Sequence, residues 1–278
     1  MSDHDIKMHK GARLQRANGH LSLSVKASER GVTRLADLRQ QGSFRMIFPT
    51  SPVGSIDAVI LNTAGGITGG DTFTIQANAG ADTHLNLTTQ AAERIYGAAG
   101  HDVGTLSTSL KVEAGARINW LPQETILFDG CRLRRELTVD LDKTATFLMV
   151  ESLVFGRISS GETLQSGLFE DRVKITQNGN PIYLDGSQLS GNITQKLAHP
   201  AIADGANAMA NLVFCAPDAN RHLVNTRALL PTTAGASLIS ETVLVVRILA
   251  SDSYVMRKTL LPILTLLTDN AVPKNWRL

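Results

Sequence analysis

Histidine and carboxylate side chains are the residues of this chain that could bind a metal ion or transfer a proton. The histidines show no HxH or HxxxH spacing of the kind found at metal sites; they are His4, His9, His20, His84, His101, His199 and His222. The carboxylates are spread through predicted strands and turns and include Glu93, Glu113, Glu124, Glu136, Glu151, Glu162 and Glu170. Any two carboxylates could meet in the fold and do acid–base chemistry, so their presence alone predicts no active site.

A glycine-rich string, NTAGGITGGD at residues 62–71, could cradle a phosphate through its backbone N–H groups. A P-loop, however, needs a lysine and a following helix, and this string lacks the lysine and precedes a predicted strand. The GGxxGG spacing also fails the dinucleotide-binding pattern. We therefore predict a tight strand connection in which the glycines serve the fold; they are Gly65, Gly66, Gly69 and Gly70. Asp71 either caps this turn or lines a polar path.

Nucleophilic catalysis has no recognisable motif in the chain. There is no GxSxG elbow, and Cys131 follows a predicted turn without a marked partner histidine. The sequence therefore favours a protein that is not an enzyme.

The elements that must position these residues are predicted to be strands. Phe73, Ile75 and Ala77 alternate with polar residues, and the same period of two recurs along the first two thirds of the chain. The predicted strands are Asp71–Ala77, His84–Thr88, Leu106–Val112, Arg117–Leu121, Arg135–Leu141, Thr146–Val150, Asp171–Ile175 and Pro181–Asp185. Residues 178–180, with the sequence NGN, predict a tight hairpin between the last two.

A weak internal repeat suggests how these strands are arranged. Residues 74–90 and 110–123 both follow a strand, Ala-Gly-Ala turn, strand pattern, and their turn glycines, Gly80 and Gly115, lie 35 residues apart. Such units predict a mainly β fold with stacked, solenoid-like sheets, in a β-helical or sandwich-like layering. A plain β-sandwich with hairpins that look alike by chance remains an alternative.

The C-terminal third has a different pattern that predicts about two helices. One runs from a cap at Asp218 to about Leu229; the other follows a cap at Ser251 and Asp252, and Pro262 should kink or split it. Strands are predicted at Ala208–Cys215 and Ser237–Leu249. Because no Gly-, Ser- or Pro-rich linker interrupts the chain, residues 1–278 are predicted to form a single domain.

Composition narrows the class of protein further. The net charge is only +2 and no basic stripe appears, which argues against nucleic-acid binding. The longest apolar stretches are far shorter than the roughly 20 residues of a membrane span, and the first ten residues lack the apolar core of a secretory signal. Two isolated cysteines predict reduced core residues in a cytoplasmic protein.

Four unusual strings occur in an order that resembles the urease accessory family UreD, also called UreH. They are NTAGGITGGD at 62–71, LTTQAAERIY at 87–96, NWLPQETILFDG at 119–130 and FGRISSGE at 155–162. The resemblance covers nearly the whole chain, except residues 190–207 and the first dozen. It implies a helix-poor β fold and a non-catalytic scaffold. It also implies that the protein forms a complex with UreF and the GTPase UreG and binds the urease apoprotein. In this complex it would support nickel delivery, with no stably bound cofactor and with Ni²⁺ only in transit.

A nickel scaffold would need a hydrated polar passage, because oxygen ligands hold the ion weakly enough to release it. Within the family-like strings, the polar candidates for such a passage or for a partner-facing surface are Asp71, His84, Thr88, Glu93 and Glu124. Trp120 and Pro122 are expected to pack in the core or against a partner. The alternatives are a β-solenoid enzyme acting on carbohydrate and a generic β-rich interaction module.

Overall fold

Two large β-sheets stack face to face in the computed structural model, which describes residues 15–51, 54–157 and 160–277. Residues 1–14, where the sequence predicts no secretory signal, lie outside this range. The strands are β1 Asn18–Ala27, β2 Thr33–Gly42, β3 Phe44–Ile47, β4 Ser55–Asn62, β5 Thr72–Ala79, β6 His84–Thr89, β7 Glu93–Ile95, β8 Gly104–Val112, β9 Arg117–Trp120, β10 Thr125–Leu127, β11 Arg132–Leu141, β12 Thr146–Phe155, β13 Leu168–Gln177, β14 Asn180–Ser190, β15 Ala208–Cys215, β16 Ala234–Ser240 and β17 Val243–Ala250. The helices are α1 Ile193–Leu197, α2 Leu223–Ala228 and α3 Ser253–Leu267.

The chain winds between the two sheets as a solenoid. Sheet A has the order β14-β13-β11-β8-β5-β1-β2, and sheet B has the order β16-β17-β15-β12-β9-β6-β4-β3. Successive coils place β5 parallel to β8 and β11 in sheet A, and β6 parallel to β9 and β12 in sheet B. This arrangement confirms the predicted mainly β fold with stacked, solenoid-like layering.

The internal repeat is real, but its glycines are not equivalent positions. The register pairs Ile75 with Thr108 and His84 with Arg117, an offset of 33 residues in both sheets rather than the 35 that separate Gly80 from Gly115. The offset is 33 on both sides of the turn, so the two turns have equal length, and Gly80 and Gly115 occupy different positions within them. Ladder hydrogen bonds, and not turn composition, therefore set the period.

Two apolar layers hold the sheets. The inner layer lies between sheets A and B and contains Phe73, Phe147 and Phe169. The outer layer covers the far side of sheet B and contains residues of α3 together with Trp276. Strand β12 contributes alternate residues to both layers, which explains its nearly continuous apolar sequence.

The predicted hairpin between β13 and β14 is confirmed. Asn178 and Gly179 both have positive φ, 49° and 78°, as a two-residue turn of the I′ type requires.

The C-terminal third corrects three details of the prediction. Residues 237–249 form two antiparallel strands, β16 and β17, because a turn at Glu241 and Thr242 folds the apolar run back on itself. The side chain of Asp218 makes no capping hydrogen bond. Helix α3 is not split at Pro262, which lies on its exposed side, where water can bond the carbonyl that the proline leaves unpaired.

Other expectations for this third are confirmed, and one helix was missed. Asp252 caps α3 by accepting a hydrogen bond from the Val255 N–H at 2.8 Å. The short helix α1 was not anticipated.

Cys131 and Cys215 are free and buried, and burial raises the pKa of their thiols to about 11 and about 12. No helix among the described residues has both the length and the apolar character needed to cross a bilayer.

Candidate functional site

A cavity of about 160 Å³ lies between the two sheets, in the middle of the inner layer. Its apolar walls are Phe44, Ile60, Ile75, Leu106, Trp120 and Pro122. Its polar groups include Asn62, Thr89, Glu93, Gln123, Arg135 and Glu151. Exposed residues at one end, among them Gly65, Gln90 and Arg94, place its opening beside the segment that links β6 to β7. A surface-connected space of this size, with polar groups in its mainly apolar wall, has room for several waters.

Glu93 lies near the opening of the cavity. Its carboxylate oxygens each accept a hydrogen bond from Asn62 Nδ2 at 3.2 Å, and the same amide nitrogen also donates to the carbonyl of Gly66. Burial raises the pKa of Glu93 to about 7, although the hydrogen bond from Asn62 opposes the shift. The side chain can therefore exchange a proton near neutral pH.

Arg135 closes the inner end of the cavity together with two carboxylates. Its guanidinium forms a two-point pair with Asp171, Nε to Oδ1 at 2.9 Å and Nη2 to Oδ2 at 2.7 Å. The same Nη2 lies 2.9 Å from Glu151 Oε2. Burial raises the pKa of Glu151, while the charge of Arg135 opposes that rise. These ionisable side chains are almost completely inaccessible, so each depends on its partners for compensation.

A second, much smaller cavity begins on the other side of this ion cluster. It has a volume of about 10 Å³, roughly the space of one water, and it shares Arg135 and Glu151 with the first. Its far wall contains Asp185, which accepts hydrogen bonds from Asn211 and from the half-exposed Arg247. A line of acidic groups thus runs from Glu93 through Glu151 and Asp171 to Asp185, near the surface.

Three residues that line the two cavities carry a buried polar atom without a hydrogen-bond partner in the described ranges: Gln123 Nε2, Glu151 Oε2 and Asn211 Oδ1, each in a residue at least nine-tenths buried. Unpartnered atoms of Asn78, Ser152, Thr226 and Asn275 lie away from the cavities. For Glu151 the 2.9 Å contact with Arg135 is an ion pair without hydrogen-bond geometry. Unpaired buried polar atoms are costly, and the two cavities are spaces where water or a ligand could meet these three residues.

Of the five predicted site residues, the structure brings only Glu93 to this cavity. Asp71 is buried at the start of β5, where its two oxygens accept hydrogen bonds from the N–H groups of Ala17 and Thr68, both at 2.8 Å. Glu124 forms an ion pair at 3.3 Å with Arg257 of α3.

His84 and Thr88 face the opposite side of sheet B, under the C-terminal residues. His84 Nε2 contacts Asn119 Nδ2 at 3.1 Å, and Asn119 also donates to Asn86. Thr88 Oγ1 accepts a hydrogen bond from Asn275 at 3.1 Å. Burial, followed by the charge of Arg117, lowers the pKa of His84 to about 4, so the ring is neutral at pH 7.

Two glycines of the 62–71 string, Gly66 and Gly69, lie where other backbone passes close, whereas Gly65 and Gly70 have positive φ values of 81° and 89°. A Cβ on Gly66 would come within 2.6 Å of the Arg94 carbonyl oxygen, and one on Gly69 within 2.3 Å of the Asp102 carbonyl oxygen. Trp120 and Pro122 are both buried and line the cavity, and Trp120 Nε1 approaches Glu151 Oε1 at 3.4 Å.

Arg135 and Asp171 were missed as site residues, and Glu151 was only one acid among many. For Glu151 and Arg135, the sequence pattern of the strand did indicate an unusual position. Glu151 interrupts the apolar run of β12, and Arg135 occupies an inward position of β11 between Leu133 and Leu137. A charge at an apolar position of a strand requires a buried partner, which the sequence did not identify.

No group of three or more His, Cys, Asp or Glu side chains in the described part of the chain is arranged to hold a metal ion. The acidic groups of the cavities are instead spaced along a line. They form no closed ligand shell.

Comparison with known proteins identifies the family. Residues 17–277 match the family described as UreD urease accessory protein. The chain belongs to the UreD family. It is 50% identical over 239 residues to the urease accessory protein UreD of Ruegeria pomeroyi, covering 86% of this chain and 93% of that protein. It is 46% identical over 263 residues to UreD of Roseobacter denitrificans (95% and 96% covered) and 42% identical over 267 residues to UreD of Rhizobium rhizogenes (96% and 97% covered).

Membership of the UreD family confirms the resemblance given by the four strings. UreD proteins are accessory proteins of urease and not the enzyme itself, in agreement with the prediction that this chain is not an enzyme. A role in urease maturation follows from the family.

Proposed function

We propose that this UreD family member is a non-catalytic scaffold that supports nickel delivery to urease. In this proposal it acts in the cytoplasm with UreF and the GTPase UreG, binds the urease apoprotein, and carries no stable cofactor. Ni²⁺ is cargo that passes through the inner layer between the sheets.

The observation that carries the proposal is a cavity between the sheets whose mainly apolar wall includes two carboxylates. Glu93 stands near its opening and Glu151 at its inner end. Gln123 also lines the cavity; its amide nitrogen has no hydrogen-bond partner among the described residues, and its amide oxygen accepts from Arg257. Carboxylate, carbonyl and hydroxyl oxygens are weak ligands for Ni²⁺ compared with thiolate and imidazole, so an ion can be handed on between them. The acidic groups also raise the local concentration of cations.

A role in nickel transit or partner contact stays a prediction for the other four candidates, Asp71, His84, Thr88 and Glu124. Their side chains lie outside the cavity. His84 and Thr88 are covered by the C-terminal residues, which makes them weaker candidates than Glu93.

The first experiment deletes this gene alone in cells that carry the urease operon and then restores it. We expect loss of urease activity and of urease-bound nickel, measured by elemental mass spectrometry, while apo-urease still assembles. Unchanged nickel and activity would reject the proposed function.

Substitutions in the restored gene then test the cavity. Glu93→Gln and Glu151→Gln keep the shape of the side chain and remove its charge, and each should lower urease-bound nickel about tenfold, the effect of about 1.4 kcal/mol of lost cation binding. Glu170→Gln is the matched control, because Glu170 pairs with Arg134 on the exposed face of β13. Normal nickel in both cavity variants, with the accessory complex still recovered by affinity purification, would exclude the cavity from the route.

A further inference from the structure

Two ion pairs link neighbouring positions of β11 and β13. Because side chains alternate along a strand, the two pairs lie on opposite faces of sheet A. Arg134 pairs with Glu170 at the surface, and Arg135 pairs with Asp171 inside. Only the inner arginine contacts a second carboxylate, that of Glu151. The inner pair also stands where the two cavities meet, since Arg135 and Glu151 line both of them.

The contacts of Arg135 with its two acids are unequal. Asp171 receives two hydrogen bonds from the guanidinium, at 2.9 and 2.7 Å. Glu151 receives one ion contact at 2.9 Å that lacks hydrogen-bond geometry, and its Oε2 has no hydrogen-bond partner among the residues that the structure describes. Two-point arginine–carboxylate pairs are the stronger kind, so the contact with Glu151 is the one that a competing cation can replace.

We propose that Arg135 is a gate between the two cavities, and that Asp171 is the anchor that holds the guanidinium while Glu151 accepts a passing divalent cation. This inference rests on the proposed function. The cation replaces one ion contact of Arg135 at Glu151, and the guanidinium remains bound to Asp171. No covalent bond forms or breaks.

The positive charge of Arg135 has two effects on Glu151. It competes with the cation, which closes the route when no ion is present. It also opposes the rise in the pKa of Glu151 that burial and the negative charges of Asp171 and Asp185 cause. Arg135 is therefore a positioning residue for the carboxylate that meets the ion.

The test measures nickel transferred to apo-urease by the purified accessory complex containing the full chain, with NiCl₂ as the metal source. Asp171→Asn removes the anchor and leaves Arg135 on Glu151, so we expect roughly tenfold less nickel transferred, equivalent to about 1.4 kcal/mol. Asp171→Glu restores a carboxylate and should recover most of the transfer. Glu170→Gln should transfer normally.

The nickel concentration separates gating from a loss of fold. Arg135→Gln removes the charge that competes with the cation at Glu151, so the NiCl₂ concentration that gives half-maximal transfer should fall several-fold, whereas a merely structural defect would lower transfer at every NiCl₂ concentration. Normal transfer by Asp171→Asn, or an unchanged half-maximal NiCl₂ concentration for Arg135→Gln, would overturn the gate. If Glu151→Gln also transfers nickel normally, the proposed route through the cavities is wrong. If Glu151→Gln is the only variant with impaired nickel transfer, the route is supported and the gate is rejected.

Discussion

The two sides of sheet B both bury polar side chains, but they do so in different ways. On the outer side, Asn86 donates to Asp57 at 2.7 Å and accepts from Asn119 at 2.6 Å, and Arg117 donates to Asn119 at 3.0 Å. On the inner side, Glu93 and Glu151 border a cavity, and polar atoms there have no partner among the described residues. The outer residues named here are joined to one another by hydrogen bonds, although Asn275 Oδ1 in the covering chain has no partner among the described residues, whereas the inner carboxylates border open space.

This difference separates structural from functional burial of polar groups. A closed network fixes the position of the chain that covers it, here residues 267–277, through contacts such as Arg117 with the Leu267 carbonyl and Asn275 with Thr88. An open network keeps charged groups available to a ligand at a cost in stability. The outer layer should therefore respond to substitution in stability, and the inner layer in nickel transfer.

The largest effect is expected in the outer layer, from Trp276→Ala. Trp276 is completely buried, donates from Nε1 to the Leu121 carbonyl at 2.8 Å and stacks under Arg257. Its truncation should lower the free energy of unfolding by about 3–5 kcal/mol, measured by denaturant titration. Tyr254→Ala on the exposed side of α3 is the control, with a change within about 0.5 kcal/mol. A loss below about 1 kcal/mol for Trp276→Ala would remove the stabilising role assigned to the outer layer.

Glu93→Gln should show the opposite combination, greater stability with less nickel transferred. Because the folded-state pKa of Glu93 is raised from 4.5 to about 7, the folded chain holds more protons than the unfolded chain in that interval. Wild-type stability therefore falls as pH rises from about 4.5 through about 7. The variant lacks this loss and should be more stable by roughly 1–3 kcal/mol at pH 8 and equal at pH 4. Equal stability at both pH values would show that burial does not strain this carboxylate.

His84 titrates with the reverse sign. Its folded-state pKa is lowered from 6.5 to about 4, so the unfolded chain takes up the proton first, and wild-type stability falls as pH drops through that interval. Between pH 7.5 and pH 4, the free energy of unfolding of His84→Gln should fall by roughly 1–2 kcal/mol less than that of the wild type, as measured by denaturant titration at the two pH values. Nickel transfer at pH 7.5 should be unchanged. Impaired transfer by a folded His84→Gln would break the contrast between the two sides of the sheet.

The smallest effect belongs to the surface pair of Arg134 and Glu170. Their exposed ion pair at 2.6 Å should contribute about 0.2–1 kcal/mol, so Glu170→Gln should barely shift the unfolding midpoint. Arg134→Gln should have a similarly small effect. A change as large as that of Asp171→Asn would mean that burial does not distinguish the two neighbouring pairs.

Much of the fold could be predicted because strand alternation is a local property. Phe73, Ile75 and Ala77 face the inner layer as their spacing indicates, and the hairpin at Asn178 and Gly179 follows from residues that tolerate positive φ. The two-strand nature of residues 234–250 was missed because Glu241 and Thr242 are not strong turn formers, and ladder pairing imposed the turn.

The candidate site was less predictable because contacts between distant residues build it. Glu93 was identified from its place in a family-like string, but its neighbour Asn62 belongs to another strand, and Arg135 meets Asp171 across 36 residues. His84 lies on the polar face of β6 as predicted, yet that face is covered by chain nearly two hundred residues further on, as the 187-residue separation of Thr88 and Asn275 shows. Alternation of polar and apolar residues shows that the two faces of a strand have different surroundings, but it does not show which part of the chain covers each face.

The sequence by itself determined the family, the solenoid-like stacking of strands and the absence of a recognisable catalytic motif, because ordered strings, period-two alternation and motif spacing are all written along the chain. The tertiary structure alone decided which polar residues share a cavity, which are sealed in a closed network, and that Arg135 stands between two acids. Those outcomes depend on the register of parallel strands some 30 residues apart, as in the pairing of Arg135 with Leu106 and Asp171. A shift of one residue in either ladder would turn Arg135 to the surface and bring Arg134 inside.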